Sequence, residues 1–210
     1  MKDFAYAFTL CLATLGPTKT IPVFYLATRT ADWRTVLALA AKSTLVATAI
    51  VLFVALSASG TLATWQVSVE AVEIAGGIVL ALAAVKTLTS PSFAEVQSGG
   101  AVVAEAKQST RWLGRPVLAP LAVPGIVPPV GIMVVLFFAA TALGDTRLQT
   151  DLAFVLVAIM AMNFAAMLCA RVIMRVVGIP VLQVTGWVFS ALQAGLGVQA
   201  VIGALRALQL

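Results

Sequence analysis

Six long apolar stretches, joined by short polar connections, constrain this chain more than any other feature. They cover residues 4–28, 35–58, 67–88, 115–143, 151–174 and 181–207. A helix needs roughly 20 apolar residues to cross the hydrocarbon core of a bilayer, and each stretch reaches that length. Charged residues make up 10% of the chain, against about 25% in a typical soluble domain. That is too few to cover a water-facing surface. The sequence therefore predicts an all-α membrane protein of six transmembrane helices, with the lipid bilayer as its solvent.

The first stretch has the outline of a signal peptide, with Lys2 ahead of an apolar run. The run continues past the interruption at 16–22, and no Ala-x-Ala-like cleavage site precedes a soluble chain. It is read as the first span. The connection 90–114 is the longest and most polar, and contains Ser98-Gly99-Gly100. It divides the chain into a first three-helix repeat (1–89), a cytoplasmic linker (90–114) and a second three-helix repeat (115–210). Three is an odd number of crossings. Two halves of one fold must then be inserted in opposite senses, the inverted-repeat arrangement of many secondary transporters.

Lys and Arg are unevenly spread about these spans. Arg29, Arg34, Lys86, Lys107, Arg111, Arg115, Arg171 and Arg175 fall on one side, and Lys2, Arg147 and Arg206 on the other. The positive-inside rule places both termini outside, in the periplasm. Lys42 lies a turn or two inside the second span and snorkels toward the inner surface. The net charge of +5 has no basic patch with interleaved aromatics behind it, so no nucleic-acid partner is expected. Trp33, Trp65 and Trp112 fall where an aromatic belt would anchor the bundle.

Proline and glycine interrupt two spans. The first contains Gly16-Pro17-Thr18-Lys19-Thr20-Ile21-Pro22, and the fourth contains Pro120 through Pro124-Gly125 to Pro128-Pro129-Val130-Gly131. Proline lacks the backbone donor and clashes with the preceding turn, so broken first and fourth helices are expected. Each interruption lies near the middle of the first span of its half. Broken backbone at membrane depth is costly unless protein or a polar cavity satisfies it, and paired breaks point to a midplane binding site. Exposed helix N-termini attract a carboxylate, and freed carbonyls attract an ammonium group. The candidate substrate-binding residues are Gly16, Pro17, Thr18, Lys19, Thr20, Pro124, Gly125, Pro128, Pro129 and Asn163. The plain alternative is a pair of proline kinks with no ligand.

Several strings resemble the MarC family of bacterial inner-membrane proteins. They are Ile21-Pro22-Val23-Phe24, Ile74-Ala75-Gly76-Gly77-Ile78 and Pro120-Leu121-Ala122-Val123-Pro124, with Gly186 and Val198-Gln199 in the sixth span. The resemblance covers nearly the whole chain in order. It implies six spans in two inverted repeats, a bacterial inner membrane, and transport of small neutral amino acids such as alanine and glycine. Two places depart from the family pattern. The first break usually reads Asn-Pro-x-Gly-Asn and here is Gly16-Pro17-Thr18-Lys19-Thr20. The second usually reads Gly-Pro-Gly-Ala and here is Pro128-Pro129-Val130-Gly131.

Lys19 is the charge nearest the bilayer centre, where a cation costs at least ~2.5–3.5 kcal/mol. It is read as a carboxylate ligand, a coupling group or half of an ion pair. Glu73 is the matching deep acid, a partner for Lys19 or a proton-coupling group; Glu70 opens the third span at the interface. Gly76 and Gly77 let another helix approach closely. Asn163 has no local partner and would bond to backbone freed at a break or to substrate. Thr185, Ser190 and Gln193 suit helix–helix hydrogen bonds, and Thr14, Thr18 and Thr20 the broken ends.

Catalysis is not expected. The chain has no histidine and two cysteines, Cys11 and Cys169, both in apolar segments, so neither a metal motif nor a disulfide framework is predicted. No cofactor is expected, no Gly-x-Ser-x-Gly motif appears, and no Gly-x4-Gly-Lys-Ser/Thr motif couples transport to ATP. The leading reading is a secondary transporter with protons or sodium as coupling ion. A channel-like or efflux pore for small metabolites and a structural or assembly membrane protein are the alternatives.

Overall fold

The computed structural model describes residues 2–89, 122–123 and 125–208. Every regular element among them is helical. The first stretch forms α1 (Lys2–Leu15) and α2 (Pro17–Thr28), followed by α3 (Trp33–Trp65) and α4 (Val69–Thr89). The second half supplies α5 (Pro129–Thr141), α6 (Thr146–Leu168), α7 (Ala170–Val176) and α8 (Gly178–Ala207). Five segments are long and apolar enough to cross a membrane: Ala7–Thr28, Trp33–Ala58, Val69–Thr89, Thr146–Leu168 and Pro180–Ala207. The sixth, α5, is apolar but has 13 residues, or about 20 Å of helix. The connection 90–114, the start of the fourth stretch and Pro124 lie outside the described residues.

Several helix ends differ from the sequence expectation, for local reasons. The second helix runs on to Trp65 instead of stopping near 58. It ends where Gln66 turns left-handed at φ 52 and the Val67 N–H donates to the Leu62 carbonyl at 3.1 Å, a Schellman-type close. The fifth helix starts at Thr146, not 151. The Asp145 carboxylate accepts from the backbone N–H groups of Arg147 (2.8 Å) and Leu148 (3.3 Å), satisfying donors that every helix start leaves open. Asp32 holds the same place before α3. Its carbonyl accepts from Val36 N–H at 3.0 Å, and its carboxylate accepts from the Thr35 hydroxyl at 2.5 Å. That hydrogen bond holds the exposed Asp32 carboxyl below its ordinary range. The expected connection between the fifth and sixth spans shrinks to Val177. Arg171 and Arg175 are helical, and Gly178 makes the turn at φ +71, a conformation that suits glycine.

The interrupted segments occupy the centre. In α1 and α2, Leu10, Cys11, Leu15, Ile21 and Phe24 are buried, and α5 buries Val134, Val135 and Phe137 through Ala140. A helix buried nearly all round belongs in the middle of a bundle. The helices α3 and α6 pack together against one side of this pair, and α4 and α8 pack together against the other. The outer faces are apolar: Leu45, Phe53 (70% exposed) and Leu56 (79% exposed) on α3, with Val181, Val184, Val188 and Leu192 on α8. The inner face of α8 carries Ser190, Gln193, Gly197, Ala200 and Ala204. Greasy outside and small or polar inside is the pattern of helices that pack in lipid.

The α4–α8 contact turns on two glycines. A Cβ on Gly77 would lie 2.5 Å from the Gly197 carbonyl oxygen, and one on Gly197 would lie 2.6 Å from the Gly77 oxygen. The Gln193 side chain donates to the Leu80 carbonyl at 3.3 Å. Its position before Gly197 and that of Leu80 after Gly77 make the two helices antiparallel. Gly76 faces the other way, with Phe137 of α5 at ordinary van der Waals distance.

Candidate functional site

The chain between Leu15 and Pro17 cannot continue as one regular helix. Pro17 has no N–H for the Ala13 carbonyl, and Pro22, inside α2, has none for Thr18. Gly16 takes an extended conformation (φ −70, ψ 167) and α2 restarts with Pro17 in its first turn, where a missing donor does no harm. Glycine is required at 16, because a Cβ there would collide with the Leu12 carbonyl oxygen. The second half repeats this geometry. Ahead of α5, the Val127 N–H donates to the Ala122 carbonyl at 3.0 Å. Pro128 is then extended (φ −72, ψ 157), and α5 starts with Pro129. Neither start has a side-chain cap.

The two starts are brought together. A Cβ on Gly131, in the first turn of α5, would run into the Leu15 side chain at the end of α1. The Thr20 hydroxyl, in α2, donates to the Gly125 carbonyl at 3.4 Å. That carbonyl is one that Pro129 cannot serve. From 15 to 20 the partners fall from 131 to 125, so the segments run antiparallel. The N-termini of α2 and α5 therefore approach one junction from opposite sides, each with unmet N–H groups and a partial positive charge.

Asn163, from the middle of α6, fills the junction's third side. Its amide nitrogen donates to the Leu15 carbonyl at 2.7 Å and to the Ile159 carbonyl at 3.1 Å. The side chain is 0% exposed, and its Oδ1 has no hydrogen-bond partner among the described residues. A buried acceptor left open costs roughly 1–3 kcal/mol. Lys19 extends from the first turn of α2, half-buried, with no ion pair or hydrogen bond among the described residues. Thr18 is half-buried beside it.

Thr20 thus meets Gly125, and Asn163 meets the Leu15 carbonyl next to Gly16, with Pro17, Thr18 and Lys19 in the first turn of α2 and Pro128 and Pro129 at the start of α5. Pro124 lies outside the described residues. Glu73 is elsewhere, and the expected pairing with Lys19 does not occur among the described residues. It lies one turn before Gly76, which is level with Phe137, about 12 Å along α5 from its start. Two participants were not foreseen from the sequence. Gly131 has its signal in the lone small residue after Pro128-Pro129. The Leu15 carbonyl has none, because backbone carries no letter. A further signal went unread: Asp32-Trp33-Arg34 and Asp145-Thr146-Arg147 sit 15 residues after Pro17 and 16 after Pro129, and both acids open the next helix.

Arg171, on α7, donates to the Thr28 carbonyl at 2.6 Å and also to the Ala31 carbonyl. It ties the end of α2 to α7 and offers a cation where a helix C-terminus favours one. Both ends of α2 are thereby held by the second half of the chain.

Residues 1–209 match the family described as MarC family integral membrane protein. No curated protein and no solved structure matches the chain. The match spans the whole described bundle, including both interrupted segments and the α4–α8 glycine contact. With several apolar helices and a lipid-like outer surface, the chain is a multi-pass membrane protein and belongs to the MarC family of integral membrane proteins.

Proposed function

We propose that the chain is a secondary transporter of small neutral amino acids or similar small solutes, working by alternating access at the junction of α2, α5 and Asn163. One observation carries this reading. Two uncapped helix N-termini lie close together, and at the Leu15 carbonyl beside them sits a fully buried asparagine whose Oδ1 has no partner among the described residues. The N–H groups suit a carboxylate, and the open Oδ1 suits a donor one or two bonds away from it. Kinks alone account for the prolines but not for the open acceptor at their meeting point.

The helix pairings support an inverted repeat. Exchanging α1–α2 with α5, α3 with α6 and α4 with α8 turns each principal pairing into another that is also present. Thus α3 beside α5 becomes α6 beside α1 and α2, and α4 beside α5 becomes α8 beside α1 and α2. The pairs α3–α6 and α4–α8 map onto themselves. Two halves related this way can rock about a fixed central site. In this scheme the termini face the periplasm and the bundle lies in the bacterial inner membrane. Protons or sodium drive it, with Glu73 as a proton-coupling group near α4's first turn.

Thermal unfolding of the purified protein against a panel of amino acids and small carboxylates tests the reading. A ligand that binds the folded state raises the midpoint in proportion to its concentration over its Kd. Stabilisation by a small solute that is lost in Asn163→Leu is the expected result. A flat response across the panel would turn the reading toward a pore or an assembly protein. For Glu73, transport that stays normal and pH-responsive in Glu73→Gln excludes the coupling role.

A further inference from the structure

The junction is more positive than a zwitterion requires. We infer that Lys19 sets the charge selectivity of this site, making it prefer small 2-hydroxy monocarboxylates such as lactate over their amino-acid counterparts. The inference rests on the transport reading above and adds to it the class of substrate.

The charges at the junction all have one sign. Two helix starts bring their positive ends to it. Lys19 adds a half-buried amine on the first turn of one of them, and no acid pairs with it among the described residues. Glu73 lies one turn before Gly76, and Gly76 is level with Phe137 and not with the junction. An ammonium group entering here meets repulsion.

Its hydrogen-bond prospects are also poor. Breaks free backbone carbonyls, which is how a broken helix ordinarily holds a cation. Here two of those carbonyls are taken. Leu15 accepts from the Asn163 amide and Gly125 accepts from the Thr20 hydroxyl. Among the described residues, Asn163 Oδ1 beside the first break is a side-chain acceptor left open, neutral and fully buried. An ammonium group has three donors to place and carries a charge to desolvate. A hydroxyl has one donor and no charge. A neutral acceptor beside two helix starts and a lysine therefore suits a hydroxyl better than a second cation.

The asymmetry is built into the repeat. With Pro17 matched to Pro129, Lys19 matches Gly131. The side-chain space at Gly131 is filled by Leu15, so the second half offers no charge at this position. One half thus supplies bare backbone and the other a tethered cation. That cation occupies the role that a co-bound metal cation plays at a neutral site, and the substrate carboxylate balances it.

L-lactate and L-alanine differ only in a hydroxyl for an ammonium group, which makes them the probes. Wild-type protein in detergent is titrated with each, following thermal stability, and each is offered as counter-substrate in proteoliposomes. Lactate is expected to bind more tightly by on the order of tenfold, the effect of one unfavourable charge contact. Lys19→Gln is expected to weaken lactate by a similar factor and alanine by less, so that the preference for lactate is lost, and Lys19→Arg to keep that preference. Tighter binding of alanine by the wild type overturns the inference and leaves the transport reading standing. Equal weakening of both ligands in Lys19→Gln also overturns it, since that is a structural effect. Binding of neither ligand while another amino acid binds overturns it as well. Binding of no small solute at all removes both readings together. The wild-type comparison decides the matter even if the variants fail to fold.

Discussion

Alanine at Gly77 and Gly197 offers a calibrated test of the helix pairing behind the bundle. A new Cβ at Gly77 lies 2.5 Å from the Gly197 carbonyl oxygen, and the reverse substitution gives 2.6 Å. Carbon-to-oxygen contacts between packed helices normally lie at about 3.3–3.6 Å. The helices must then separate by roughly 0.8 Å at the crossing, because the clashing atom is backbone and cannot rotate away. Overpacking of this kind costs about 1–3 kcal/mol. In a chain of this size 1 kcal/mol moves the unfolding midpoint by roughly 2–4 °C. Each single variant should therefore unfold roughly 2–12 °C below wild type, by the same conversion. The double variant should cost little more than one single, since one separation relieves both contacts. That gives a coupling energy of about 1–3 kcal/mol, well above the ~0.3–0.5 kcal/mol seen for independent sites. Thermal unfolding of the four proteins in one detergent measures it. Additive effects, or a neutral single variant, would refute the crossing.

Asn163→Ala leaves the Leu15 carbonyl without its donor, and thermal unfolding should show a loss of about 1–3 kcal/mol. Gln66→Gly relieves a left-handed residue at the end of α3 and should raise the unfolding midpoint by an amount equivalent to up to ~1 kcal/mol. The depressed Asp32 carboxyl stabilises the start of α3 while it is ionised, and that contribution is lost as pH falls through its folded value. Asp32→Asn should therefore flatten the acid side of the stability profile below about pH 4, as followed by midpoint against pH.

Much of this arrangement could be read from sequence because lipid makes local rules strict. Apolar runs near 20 residues located the crossings, and clustered prolines located the interruptions at Gly16–Pro17 and Pro128–Pro129. Asn163 stood out because an unpaired amide at that depth must find backbone or ligand, and it finds the Leu15 carbonyl. Gly77 stood out through its small size, and α8 approaches it closely at Gly197. What sequence did not disclose depends on register between distant segments. Whether Leu15 lies against Gly131, or Glu73 near Lys19, is set by how two half-helices slide past each other. Glu73 and Lys19 were matched only because both are charged and deep. Axial position separates them, and hydropathy carries no axial coordinate. Helix ends were misplaced for a different reason. Asp145 and Gln66 act through caps and backbone torsion, which outlast the drop in hydropathy used to mark the spans.

The central claim is that the junction of α2, α5 and Asn163 holds a small solute during transport. Counterflow in proteoliposomes tests it most directly, with wild type and Asn163→Leu reconstituted side by side and alanine and lactate offered as labelled substrates. Saturable accumulation by the wild type, abolished in a folded Asn163→Leu protein, is the predicted result. Accumulation that is undiminished in Asn163→Leu, or wild-type flux that never saturates, would contradict it.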